Sequence, residues 1–251
     1  MASEIIGSTR FRSYHEPFAG GAALFFGLEI DGPACLSDLN GSLIDMYKEV
    51  RDNPDQVWRF LRRYNNSEGD YYSAREAAPR TAASRAARFI YLNHTSFNGI
   101  YRVNLAGRYN VPYGYRDSYN IPLLADLVAA SNRLKNATLT CSDFEESLTH
   151  IASKDLVFLD PLYRCAQLKW FREVQRHSFS FPRPAEVECR YRSNPKGGRV
   201  LHLTNAAHSS IVELFEKGDR RIETSRKNAV GGRDAARGRA KELMFTNLPP
   251  S

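Results

Sequence analysis

The chain has 251 residues, 42% of them hydrophobic and 25% charged, which suits one sizeable domain with an inserted or appended lobe. Its net charge of +7 points to an anionic partner such as a phosphate backbone. Its four cysteines (Cys35, Cys141, Cys165, Cys189) show no CxxC pairing and no histidine at ligand spacing, which argues against a disulfide framework or a metal site and for a reducing cytosol; nor does any stretch approach the roughly 20 apolar residues of a membrane helix or show a signal peptide's signature.

In chain order, "FRSYHEPF" (11–18) reads as a short entering strand, and "AGGAALFFGL" as a glycine turn running into an apolar helix. "PACLSDLN" (33–40) is a second apolar strand ending in Asp38 and Asn40. "LIDMYKEVRDNPDQVWRFLRRY" has helical spacing broken near Pro54. From about 66 to 120 the character changes. "SRAARFIYLNH" is a helix, but "TSFNGIYRVNLAGRYNVPYGYR" is rich in Asn, Gly, Tyr and Arg with little periodicity. A helix in "LLADLVAASNRLKN", a strand in "ATLTCSDF", a short helix in "EESLTHIAS" and a strand in "DLVFLDP" follow. The tail is basic and turn-rich over 164–199. "VLHLTNAAH" then restores a strand and "SSIVELFEKG" a helix, and a basic Gly-rich loop leads into a final strand. Strands alternating with helices around an irregular insert imply an α/β fold with a mostly parallel sheet and a lobe at about 53–135.

Two features carry chemistry. Small residues at Ala19, Gly20 and Gly21 let a ligand approach the backbone, and Asp38 at the end of the following strand can accept hydrogen bonds from ribose hydroxyls. A Gly-Gly turn alone is most often just a turn; with the acid after it, the pair is compatible with a nucleoside-type cofactor. The second feature is "VFLDPLY", an apolar run that delivers Asp160 to a strand end.

"HEPFAGGAALFF" resembles the cofactor motif of Dam-like, D12 class DNA adenine-N6 methyltransferases, and "LSDLNGSLIDMYKEV" resembles the segment after it. "FIYLNHTSFNGIYRVNLAGRYNVPYG" is close to that family's long insert signature, and "CSDF" followed by "VFLDPLY" repeats its later order. The similarity covers residues 11–163 well and 200–248 moderately.

The resemblance implies a Rossmann-like S-adenosylmethionine-dependent methyltransferase fold. Its catalytic domain would be split into 11–52 and 136–251 around a mostly helical DNA-recognition lobe at 53–135. Glu16, Phe18, Ala19 and Gly20 would line the methionyl and ribose side of S-adenosyl-L-methionine, Asp38 would take the ribose hydroxyls, and Asp143 and Phe144 would contact the adenine ring. Asp143 is equally placed to cap the helix that follows. The catalytic residues would be Asp160 and the Pro161 carbonyl, accepting the hydrogens of an adenine amine, and Tyr163, stacking on the extruded base. In the insert, Arg102, Arg108 and Arg116 alternate with tyrosines, which places charge for phosphates beside planar groups for bases. Asn93, Asn98 and Asn104 either read base edges or cap turns, with capping favoured for at least one, and Asn110 joins the implied DNA-binding set.

Three departures from the family pattern stand out. Only "MASEIIGST" precedes the first strand, where the family has a Lys-Trp-x-Gly-Gly-Lys stretch; the expectation is either a truncated copy or a start assigned too late. The family's second proline is Leu162, which loosens the catalytic loop. Residues 164–199 look scrambled, as compensated frameshifts would leave them. The expectation is therefore a site-specific methyltransferase acting on adenine N6 in double-stranded DNA, with activity reduced by these departures. The alternative is a non-catalytic DNA-binding remnant. A monomer is expected, in the cytoplasm of a bacterium or phage-infected cell at the nucleoid, with a cognate restriction endonuclease as a candidate partner and GATC as a candidate site.

Overall fold

The computed structural model describes Ile6 and residues 10–115, 121–160, 199–204, 220–227 and 239–248. Contacts divide the described chain into two compact units. One holds the residues up to Leu39 and those from Asn136 on; the other is Asn40–Lys135.

The first unit is built on a sheet of β1 (Tyr14–Glu16), β2 (Ala34–Asp38), β3 (Ala137–Cys141), β4 (Leu156–Leu159), β5 (Arg199–Thr204), β6 (Arg220–Lys227) and β7 (Arg239–Thr246). The spatial order is β3-β2-β1-β4-β5-β7-β6. The first five strands pair in parallel, and β7 runs antiparallel to both β5 and β6. Every residue of β1 and β4 is buried, as expected for central strands covered on both faces; β4 reads as a continuous apolar run, whereas β1 buries His15 and Glu16. The chain steps outward from β1 to β2 and β3, then returns to the other side of β1 as β4. The strand order thus reverses between β1 and β4, and open α/β sheets bind ligands outside the carboxyl ends of their strands at such a reversal.

Helix α1 (Ala23–Gly27) follows the glycine turn, and α7 (Phe144–Thr149) precedes β4. Phe144 and Leu148 of α7 pack with Ile151 against Val157 and Leu159 of β4, and Phe18 lies against the same cluster. At the amino end of β4, the fully buried Asp155 gathers four donors. Arg12 grips both its oxygens at 2.9 and 3.0 Å, the Ala152 N–H reaches it at 2.8 Å, and His15 Nε2 lies at 3.1 Å. This network ties the entry of β1 to that of β4.

The second unit contains α2 (Gly41–Asp52), α3 (Pro54–Leu61), α4 (Glu68–Glu76), α5 (Ala82–Thr95), a 3₁₀ turn (Phe97–Gly99) and α6 (Leu124–Leu134). The break expected near Pro54 is the α2–α3 junction, where Pro54 opens α3 in the first turn that tolerates its missing N–H. Helix α5 starts at a Thr81–Ser84 capping box and packs against α2, α3 and α4. Tyr71 of α4 and Tyr91 of α5 are fully buried, and their hydroxyls donate to the carbonyls of Val111 and Asn65, each at 2.8 Å, so neither polar tip is stranded.

Two elements differ from the sequence expectation. Helix α4 was not expected, because it buries only Tyr71 and Ala74, too few positions to make an apolar stripe. Strand β6 falls partly in the stretch read as a basic loop; its polar sequence RRIETSRK suits a sheet edge, where charge blunts pairing with other chains. The helix expected at 209–218 and nearly all of the 164–199 segment lie outside the described residues.

Candidate cofactor and catalytic site

Three acids stand at the carboxyl ends of adjacent strands. Glu16 ends β1, Asp38 ends β2, and Asp160 is the first residue beyond β4, so Glu16 and Asp160 flank the strand reversal. The sequence read all three as site residues, and the parallel register brings them to one edge.

The glycine turn is fixed from both sides. The Ala19 N–H donates to the Ser37 carbonyl at 2.9 Å, and the Gly20 N–H donates to Asp38 Oδ2 at 3.0 Å. Gly20 has φ +46, a left-handed backbone in which a side chain would be strained, and a Cβ at Gly21 would meet nothing within 4 Å. The turn is therefore bare backbone beside a carboxylate. A carboxylate offers about four lone-pair sites, so its bond to Gly20 leaves capacity for a vicinal diol.

Glu16 is only 2% exposed, and the Tyr14 hydroxyl donates to its Oε2 at 2.8 Å. Burial pushes the Glu16 carboxyl up to about 8, and the charge of Asp160 pushes the same way, against the hydrogen bonds from Tyr14 and the Phe25 N–H. Burial, with Glu16's charge and hydrogen bond, also drives the Tyr14 phenol upward, which leaves it a donor. Tyr14 was missed by sequence reasoning. The available signal was strand alternation, which puts positions i and i+2 on one face and so sets Tyr14 beside Glu16.

Phe18 and Phe144, both expected to touch the cofactor, stack on one another with centroids 5.4 Å apart. Asp143 caps α7, accepting from the Glu145 N–H at 2.9 Å. Pro161, Leu162 and Tyr163 lie outside the described residues. Among the described residues no group of three or more His, Cys, Asp or Glu side chains could hold a metal ion.

In the second unit, the segment after α5 folds back on itself through antiparallel bridges Ser96↔Tyr113 and Val103↔Tyr109. Gly114 passes so close that a Cβ there would lie 2.6 Å from the Ser96 carbonyl oxygen. Arg102 Nε donates to Asn110 Oδ1 at 2.8 Å, so these two expected DNA residues hold each other across the hairpin. Asn104 is a turn cap: its Oδ1 accepts from the N–H groups of Ala106 (3.0 Å) and Arg108 (2.9 Å). Asn93 Nδ2 donates to the Phe89 carbonyl one helical turn back. Asn98 sits at φ 54, and its Nδ2 is buried with no hydrogen-bond partner among the described residues. Arg108 is exposed; Arg116 lies outside the described residues.

An α/β sheet with a bare glycine turn, an acid placed to accept from a diol and further acids beside the strand reversal suits a nucleoside cofactor. The chain belongs to the D12 class of N6 adenine-specific DNA methyltransferases, whose family model matches residues 3–225. It is 29% identical to a Type II methyltransferase of Lactococcus lactis subsp. cremoris over 95% of this chain and 87% of that protein. A Type II methyltransferase of Methanocaldococcus jannaschii is 30% identical over 82% of this chain and 76% of its own length. A DNA adenine methylase of Serratia marcescens is 32% identical over 59% of this chain and 56% of its own length. The cofactor is accordingly S-adenosyl-L-methionine, and the reaction is site-specific methylation of adenine N6 in DNA.

Proposed function

We propose that the three strand-end acids divide the work of this reaction, and that Asp160 is the catalytic one. The observation that carries this reading is their placement around the β1/β4 reversal. The glycine turn with Glu16, Phe18, Ala19 and Gly20 receives the methionyl and ribose side of the cofactor. Asp38 holds the ribose diol, and Asp143 and Phe144 meet the adenine ring. S-adenosylmethionine, when bound, supplies an electrophilic methyl group on a sulfonium.

The chain's own part is to prepare the acceptor. The lone pair of an adenine amine is delocalised into the ring, so the amine must be drawn toward tetrahedral geometry by accepting its hydrogens. Asp160 accepts one hydrogen, the Pro161 carbonyl accepts the other, and Tyr163 stacks on the extruded base. As the nitrogen gains the methyl group it sheds a proton, which the carboxylate side passes to solvent. Leucine at 162 keeps both acceptors but relaxes their placement, and misplacement of about 1 Å costs on the order of 100-fold in rate.

Residues 53–135 serve as the DNA-recognition lobe. Arg102, Arg108 and Arg116 meet phosphates, Asn98 presents a donor to a base edge, Asn104 and Asn110 shape the hairpin, and Asn93 belongs to the last turns of α5 before it. No helix among the described residues is long and apolar enough to cross a membrane. We place the chain as a cytoplasmic monomer at the nucleoid or in a phage-infected cell. The Type II names of two relatives support a cognate restriction endonuclease as partner.

The test is transfer of labelled methyl from S-adenosylmethionine to unmethylated duplex DNA. Incorporation is expected with the chain as it stands and should fall about 100- to 1,000-fold in Asp160→Ala, the loss expected for removing one transition-state hydrogen-bonding group. Equal rates in the two would remove Asp160 from the mechanism.

A further inference from the structure

The mechanism gives Glu16 a place in the cofactor pocket but does not use two facts about it: its burial and its bond to Tyr14. A carboxylate buried to 2% exposure needs a counter-charge or several donors. Among the described residues, the groups acting on Glu16 are the Tyr14 hydroxyl from its own strand, the Phe25 N–H from α1, and the Asp160 carboxyl from the end of β4. Two of these donate hydrogen bonds and the third carries like charge. No cation is among them. Burial and the like charge of Asp160 outweigh these two donors, and Glu16 keeps its proton near neutral pH.

We propose that Tyr14 is a positioning residue that fixes the Glu16 carboxyl at the entrance of the glycine turn, and that Glu16 releases a proton to solvent when it receives the cationic methionyl end of S-adenosylmethionine. The proposal rests on the reading that Glu16 lines the cofactor pocket. The step balances: the neutral acid becomes a carboxylate facing the ligand's positive charge, and the proton leaves to buffer. Tyr14 is suited to its part. It is fully buried, flanked by the rings of Phe11 and Phe25, and its hydroxyl donates to one carboxyl oxygen, favouring the ionised form the ligand requires. Its hydroxyl hydrogen bond goes to Glu16, and it acts through that carboxyl.

The experiment is calorimetric titration of S-adenosylmethionine into the full chain between pH 6 and 9, in buffers of different ionisation enthalpy. Wild type, Glu16→Gln and Tyr14→Phe are compared, so that the ligand's own amine titration cancels. Wild type should release close to one proton more than Glu16→Gln near pH 7, with the excess vanishing above about pH 9. Tyr14→Phe should bind about 3- to 10-fold more weakly at pH 7.5, the size of one lost hydrogen bond, and its proton-release midpoint should move to higher pH. Its kcat at saturating cofactor should stay within about twofold of wild type. Unliganded melting of each variant separates misfolding from loss of binding. Equal proton release in wild type and Glu16→Gln, at reduced affinity in the variant, would overturn the proton linkage while leaving Glu16 in the pocket. Wild-type affinity in Glu16→Gln would overturn the pocket reading itself. A Tyr14→Phe profile superposing on wild type would overturn the positioning role.

Discussion

At the scale of single residues, the chain shows how neighbours, rather than residue type, set what an acid does. Asp155 and Glu16 are both buried beside β4, yet Asp155 gathers an arginine, a histidine and an N–H, whereas Glu16 has two neutral hydrogen-bond donors and the like charge of Asp160. The raised Glu16 carboxyl makes a stability prediction. Between 4.5 and about 8 the folded chain holds this proton while the unfolded chain has lost it. The associated stability is fully present below the lower value and is lost as pH rises through the upper one, at up to about 1.4 kcal/mol per pH unit. Unliganded Glu16→Gln lacks this dependence. Its stability advantage over wild type should therefore grow from pH 4.5 to about 8 and then stay level, as urea unfolding at a series of pH values would read. The importance of Glu16 was visible in "HEPFAGG" by resemblance, but its protonation was not. Burial and the approach of Asp160, 144 positions later in the chain, are properties of the folded sheet.

At the scale of elements, local signals worked where one residue dictates the backbone. Pro54 splits α2 from α3, Asp143 caps α7, and Gly20 takes the left-handed turn. The hairpin after α5 shows the same economy, since the Asn104 side chain caps its tip by accepting from the Ala106 and Arg108 N–H groups, beside the backbone bonds Asn104 makes with Gly107 and Arg108. Asn104→Ala should open that tip locally, at a cost of roughly 1 kcal/mol. Hydrogen exchange at the Ala106 and Arg108 amides should accelerate about fivefold, with amides of β4 unchanged. Exchange that stays at the wild-type rate would show that the turn holds without its cap. Elements with weak local signals were not legible. Helix α4 buries two residues, and β6 is a polar edge strand defined by pairing with β7, a partner the local sequence does not announce.

At the scale of the whole molecule, a net charge of +7 on a DNA-modifying enzyme predicts counterion release on binding. Affinity for duplex DNA should fall linearly on a log–log plot against salt. Arg108→Ala should lower the magnitude of that slope by about 1 if this exposed arginine meets a phosphate. An unchanged slope would remove it from the interface. The split into two units, one a sheet and one mainly helical, also belongs to this scale.

The sequence by itself determined the alternation of strands and helices, the glycine turn, the acids at strand ends and, through the long insert signature, the family. These depend on periodicity and on residues whose backbone demands are local. Only the tertiary structure decided that β4 returns beside β1, that Asp160 therefore acts on Glu16, and that Tyr14 is the donor Glu16 leans on. Strand order is set by which buried faces pack best across the whole sheet, and a carboxyl's proton by every charge and donor that packing brings near it. Neither quantity is written at any one position of the chain.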